Sequence, residues 1–225
     1  MSKKKLADHL FDRIQETGVK HTFGIPGDFI LPFYAAQSKR DLSTIVMTHE
    51  PSVGYAADAY GRLKGLGVAL VTYGAGGLNM VNPVGLAYAE ESPVLVISGG
   101  PETRFRSHKP QLHHCVKNFN TQRNVFNEVC ESVTILDNAA TARDEIDRVF
   151  DTTITSSKPG YIEIPRDMVN LEVHAPEQNK AKVQVEEEAL KEAVDDIVLR
   201  LKNAKHPVLM VGVQVRRSGP KDTVV

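Results

Sequence analysis

The chain has 225 residues, 41% hydrophobic and 24% charged, with a net charge of −1. That length supports one full domain and part of another, and the mix is that of a globular chain rather than a disordered one. Near-neutral charge leaves no basic face to neutralise phosphates, which excludes nucleic acid as an expected partner, and strand-sized apolar runs exclude an expected membrane span.

Lys3 to Lys5 reads as the solvated start of a helix in which Leu6, Leu10, Phe11 and Ile14 recur at helical spacing, ending near Gly18. His21-Thr22-Phe23 is a short strand broken by Gly24-Ile25-Pro26-Gly27, and a second helix is expected from about Asp28. A strand around Ser43 to Met47 precedes a helix from Glu50 to Lys64, where Val53, Ala56, Ala57, Tyr60 and Leu63 keep helical periods until Gly65 stops the run. The β-branched run from Gly67 to Thr72 is closed by glycines between Gly74 and Gly77, with a helix predicted over Leu78 to Glu90 and a buried strand over Pro93 to Ser98. After an irregular stretch come a strand at Val133 to Leu136, a helix at Ala140 to Thr155 and a strand at Gly160 to Ile164.

Continuous apolar strands alternating with helices through short glycine-bearing turns predict an α/β fold: a doubly wound, mostly parallel sheet covered by helices on both faces, over residues 1–173. Residues 174–188 are polar and read as an exposed linker. Residues 189–225 read as the incomplete start of a second α/β domain, with a helix over Leu190 to Leu201 and a strand over Pro207 to Gly212. Such a start cannot bury its own apolar face, so a longer natural protein or a partner is expected. Cys115 and Cys130 form neither a metal-ligand spacing nor a disulfide framework, and the opening residues lack the apolar stretch of a signal peptide. Both features point to a cytoplasmic chain with reduced thiols.

Ligands of open parallel sheets sit where loops leave the carboxyl ends of strands. Three such loops are unusual here: Gly24-Ile25-Pro26-Gly27-Asp28, Thr48-His49-Glu50-Pro51, and Thr72-Tyr73-Gly74-Ala75-Gly76-Gly77. The glycine turn has a partial dinucleotide fingerprint, but the third position holds Asn79 and the turn follows the third strand; close strand–helix packing explains the glycines equally well. Glu50 is either an acid with a raised pKa, suited to sharing a proton with a ring nitrogen, or a helix-start carboxylate complementing the dipole. The adjacent His113 and His114 read as a proton relay with a structural partner, or as two surface histidines; adjacent side chains do not readily converge on one metal. A nucleophilic Cys115 with His114 as its base meets the same orientational objection.

Taken together, Phe23-Gly-Ile-Pro-Gly-Asp28, Thr48-His-Glu50, Gly54 to Arg62, Val71 to Asn79 and Ala87 to Gly99 resemble, in order, the N-terminal pyrimidine-binding domain of thiamine-diphosphate enzymes. The similarity covers about residues 5–170, and Pro207 to Gly219 resembles the beginning of those enzymes' central domain. Within the family, Asp28 with Leu112-His113-His114 resembles the pyruvate, indolepyruvate and phenylpyruvate decarboxylases, whereas acetolactate synthases share the glutamate and the glycine turn.

The resemblance implies a carboxy-lyase that converts an aromatic or branched 2-oxo acid to an aldehyde and carbon dioxide. It implies that Glu50 hydrogen-bonds the pyrimidine ring nitrogen and favours the imino tautomer, which activates the cofactor for its own chemistry. Asp28, His113 and His114 are then the other catalytic residues. Pro26, Gly27, Thr72, Gly74, Gly76 and Asn79 line the cofactor beside Glu50. No Gly-Asp-Gly motif is present, so the diphosphate and Mg2+ are expected to be held by a domain absent from this chain, and no metal ligand is assigned within it. Activity would then require a longer chain in a homodimer or homotetramer, or a complementary diphosphate-binding subunit. The alternatives are an acetolactate-synthase-like carboligase and a truncated, non-catalytic binding or regulatory chain.

Overall fold

The computed structural model describes residues 3–174, 186–208 and 210–213. They fall into two units, Met1–Ala175 and Pro176–Val225.

The first unit runs β1 (Lys3–Lys5), α1 (Leu6–Glu16), β2 (His21–Gly24), α2 (Leu31–Gln37), β3 (Ser43–Val46) and α3 (Glu50–Lys64). It continues through β4 (Gly67–Val71), α4 (Ala75–Leu78), α5 (Val81–Ala89), β5 (Val94–Gly100), α6 (Phe105–His108) and α7 (Thr121–Asn127). It closes with β6 (Ser132–Ile135), α8 (Ala142–Ser156), β7 (Gly160–Pro165) and β8 (Glu172–His174).

Six strands form one sheet in the order β3-β2-β4-β5-β7-β6, and every pairing is parallel. β4 and β5 are buried along their whole length, as strands covered on both faces must be. Their side chains alternate between two cores. Val68, Leu70, Leu95, Ile97, Ile162 and Ile164 pack with Leu10, Phe11, Ile14, Ile146 and Val149 of α1 and α8. Ala69, Val71, Val94, Val96 and Tyr161 pack on the opposite face with Val53, Ala57, Val84 and Phe126 of α3, α5 and α7. The expected doubly wound sheet is present.

Several element expectations are corrected. Lys3–Lys5 is not a helix start but a strand paired antiparallel with β8, where the Leu6 and Ala7 amides also bond back to Leu171 and Val169. The second helix begins at Leu31 rather than Asp28, because the intervening residues are held as turns against Gly27. The helix expected over 78–90 is broken into α4 and α5, each short and joined at Met80. The stretch read as irregular contains α6 and α7; Phe119, Gln122 and Phe126 are buried at helical spacing, a pattern disguised by its central polar residue.

In the second unit, α9 (Glu187–Asn203) carries Leu190, Val194, Ile197 and Leu201 at helical spacing, all exposed. The strand expected over Pro207 to Gly212 is not formed at residues 207, 208 or 210–212, and Leu209 lies outside the described residues. A strand needs a neighbouring ladder, and the described residues of this unit supply none. Most of the expected linker, 175–185, also lies outside the described residues. No helix among the described residues is long and apolar enough to cross a membrane.

Candidate active site

Strand order reverses around β2, which has β3 on one side and β4 on the other. Chains leaving the two sides of such a switch diverge and open a crevice at the carboxyl edge. The loops after β2, β3 and β4 meet there.

Gly27 lies so close to the β4 loop that an added Cβ would sit 2.5 Å from Thr72 Cβ, so only glycine permits this approach. Thr72 Oγ1 donates to Asp28 Oδ1 at 3.3 Å and accepts the Phe29 N–H at 3.3 Å. Pro26 is exposed in the same loop. On the other side of the β4 loop, Pro51 sits in the first turn of α3 and Glu50 opens the helix, where the dipole favours a carboxylate. Glu50 is half-buried rather than enclosed, and its Oε2 accepts the Asn79 side-chain N–H at 3.2 Å. A Cβ on Gly76 would lie 3.0 Å from Thr72 Cγ2 and 3.3 Å from Glu50 Oε1. The edge therefore has a glycine-floored cradle with the Glu50 carboxyl on one side and Thr72 with Asp28 on the other.

Gly74 forms the elbow. Its φ of +73° with ψ of −109° is open only to glycine, and a Cβ there would lie 2.2 Å from the His114 carbonyl oxygen. This close approach brings the histidine loop to the edge. His114 itself has φ +64°, in the left-handed region, and that turn defeats the expectation that adjacent histidines diverge. His113 stacks on Phe29 at 5.0 Å, His114 meets Phe29 edge-on at 6.3 Å, and the two imidazoles are 4.8 Å apart. His113 Nε2 bonds Asp28 Oδ2 at 2.5 Å, with side chains 57% and 44% exposed. Burial alone would raise the Asp28 carboxyl, but the hydrogen bond and charge of His113 outweigh it, aided by the Phe29 amide and the Thr72 hydroxyl. The net effect holds Asp28 below the usual carboxylate range.

Cys115 and Cys130 are free, and burial pushes the Cys130 thiol far up. The buried Cys130 thiol is therefore not activated for nucleophilic work. Phe29, the buried platform under both histidines, was missed in the sequence because nothing distinguishes it from a core phenylalanine.

The parallel sheet and its switch-point crevice are consistent with the N-terminal domain of a thiamine-diphosphate enzyme. Residues 4–123 match the family described as thiamine pyrophosphate enzyme, N-terminal TPP binding domain, and the chain belongs to that family. It is 46% identical over 217 residues to an indole-3-pyruvate decarboxylase of Azospirillum brasilense, covering 96% of this chain and 40% of that protein. It is 36% identical over 177 residues to an alpha-keto-acid decarboxylase of Mycobacterium avium, covering 76% of this chain and 31% of that protein. Identity to pyruvate decarboxylase isozyme 3 of Saccharomyces cerevisiae is 32% over 217 residues, 93% of this chain and 38% of that one. The chain thus spans about 40% of the length of the first of these relatives.

Proposed function

We propose that the complete protein carrying this chain decarboxylates an aromatic or branched 2-oxo acid to an aldehyde and carbon dioxide with thiamine diphosphate. Glu50 is the activating acid of that reaction. The observation that carries this proposal is the placement of Glu50 across the Gly76 cradle from Asp28, in a chain whose relatives are decarboxylases.

The residues present fit an aminopyrimidine. A flat ring suits a floor where a single Cβ would already crowd Thr72 and Glu50. Thr72, Gly74 and Gly76 would flank it, with Gly27 and Pro26 closing the near side. When bound, thiamine diphosphate supplies a carbon nucleophile and a sink for the electron pair left by departing carbon dioxide. Glu50 holds a proton toward the ring nitrogen, and the Asn79 amide fixes the carboxyl's orientation through Oε2. His113, oriented by Asp28, and His114 deliver the proton that replaces carbon dioxide on the substrate carbon.

Magnesium does not fit the His/Asp cluster found at this edge among the described residues. Asp28, His113 and His114 present ligand atoms within 4.8 Å of one another, but two imidazoles and one carboxylate are not the oxygen-rich set that Mg2+ requires. This supports a reading in which the metal, with the diphosphate, is held by another part of the complete protein. Association into a homodimer or homotetramer, or with a complementary subunit, is supported by Ile45 and Val46 on β3 and Leu63 on α3, which stay exposed. A cytoplasmic setting is supported by the two unpaired cysteines.

The test is carbon dioxide release by the complete protein, wild type and Glu50→Gln, from phenylpyruvate, a branched 2-oxo acid and pyruvate. Glu50→Gln is expected to lower the rate on the preferred substrate by about 10²–10⁴. An unchanged rate would reject Glu50 as the activating acid; carbon–carbon ligation without aldehyde release would favour the carboligase.

A further inference from the structure

Beneath the active edge lies a polar chain that the proposed mechanism does not use. Gln122, Ser98, Tyr161 and Glu163 are all buried, at 2%, 0%, 0% and 0% exposure. The Gly74 N–H donates to Gln122 Oε1 at 2.7 Å. Gln122 Nε2 donates onward to the Tyr161 hydroxyl at 2.7 Å and to Ser98 Oγ at 2.9 Å. Tyr161 donates its proton to Glu163 Oε2 at 3.0 Å, and its ring is stacked on Phe126 at 4.1 Å. The other carboxyl oxygen, Glu163 Oε1, accepts from Arg106 Nη2 at 3.1 Å, while Arg106 Nη1 donates to Asn120 at 2.9 Å. Arg106 lies on α6, at the start of the segment that carries His113 and His114.

From Gly74 through Gln122 and Tyr161 each donor points toward Glu163, while the Ser98 hydroxyl donates aside to the Gly99 carbonyl oxygen at 2.9 Å. Along that line each bond polarises the next and the carboxylate is the terminal acceptor. A protonated Glu163 breaks the order. A proton on Oε2 would face the Tyr161 hydroxyl, whose oxygen already accepts from Gln122, and the phenol's own proton would lose its acceptor. We propose that Glu163 is a positioning residue for the active edge: its carboxylate terminates a buried relay that holds the Gly74 elbow and the His113–His114 loop in their mutual alignment. This rests on the assignment of that edge as the cofactor and substrate site.

The groups around Glu163 set when the relay is assembled. Arg106 on α6 and the Tyr161 hydroxyl on β7 favour the carboxylate; burial and Asp137, which follows β6, oppose it. Tyr73, on the β4 loop, is itself pushed up by burial, then by Glu163 and Cys115. Burial is the largest influence on Glu163 and raises it to about 7, so the relay is assembled above neutrality and relaxed in mild acid.

The experiment is hydrogen exchange of the complete protein, wild type and Tyr161→Phe, at pH 8 and pH 6 with rates corrected for intrinsic chemistry. Tyr161→Phe keeps the stack on Phe126 and removes only the hydroxyl. In wild type, peptides covering 72–79 and 105–120 are expected to exchange about tenfold faster at pH 6 than at pH 8. In Tyr161→Phe they exchange at the faster rate at both pH values, while β4 and β5 stay within about twofold of wild type. Equal protection at both pH values in wild type overturns the proposal, and needs no variant to fold. A uniform loosening of the whole sheet in Tyr161→Phe overturns it too, since that is simple destabilisation. Exchange is independent of turnover: if Glu50→Gln leaves decarboxylation intact, the functional assignment fails, whereas the relay stands or falls on protection alone.

Discussion

Glu163→Gln removes a titrating group from a fully buried position in the sheet, and its effect on stability has a definite sign. The carboxyl moves from an ordinary 4.5 to about 7 on folding, through burial first. A folded value above the unfolded one means that the folded chain binds the proton more tightly. The resulting stabilisation is full below pH 4.5, declines as pH rises and is gone above the folded value near 7. A shift of that size corresponds to roughly 3 kcal/mol, at about 1.4 kcal/mol per unit. The amide that replaces the carboxyl does not titrate, so the variant lacks this slope. Urea unfolding followed by far-ultraviolet circular dichroism, on both proteins between pH 4.5 and 8, isolates the effect by difference, because the other titrating groups are common to both. The stability of Glu163→Gln relative to wild type is expected to rise by roughly 3 kcal/mol across that interval. A difference that stays flat within about 1 kcal/mol, or that falls, would refute the placement of Glu163 as a buried acid with a raised value.

Gly74→Ala forces a side chain into a backbone region that only glycine adopts and against the His114 carbonyl, so a loss of about 1–3 kcal/mol in unfolding free energy is expected, together with displaced histidine resonances in NMR spectra. Asp28→Asn removes the partner that orients His113, and kcat of the complete protein is expected to fall by about 10²–10⁴ with cofactor affinity unchanged, measured by steady-state kinetics and calorimetry. Because Asp28 is held below the usual carboxylate range, its stabilisation is present above that range and is lost as pH falls through its folded value. Acid unfolding of Asp28→Asn should lack that component, which is small because the pair is half-exposed.

The sheet was legible because its central strands are doubly buried. Val68 to Val71 and Leu95 to Ile97 are continuous apolar runs, and such runs with helical segments between them admit few arrangements other than a covered parallel sheet. The helix from Glu50 to Lys64 carried its own start and stop, Pro51 in the first turn and Gly65 at φ +93°, so its limits agree with the periodicity. Lys3–Lys5 carried no such signal. Three lysines become a strand only because β8, far along the chain, offers a ladder.

Residue order alone determined that Asp28, Glu50 and the glycine turn stand at strand ends, and hence at one edge of the sheet. Local chemistry suffices for that, since chain direction in a parallel sheet puts every such loop on the same side. Only the tertiary structure decided how they face one another. The left-handed turn at His114 aims two adjacent imidazoles over Phe29, and the approach of Gly74 to His114 seats that loop beside the cradle. It also decided the relay from Gly74 to Glu163, whose members come from the β4 loop, α7, β7 and α6. A buried hydrogen bond between residues dozens of positions apart leaves no period in the sequence; it exists only once packing has removed water from both partners.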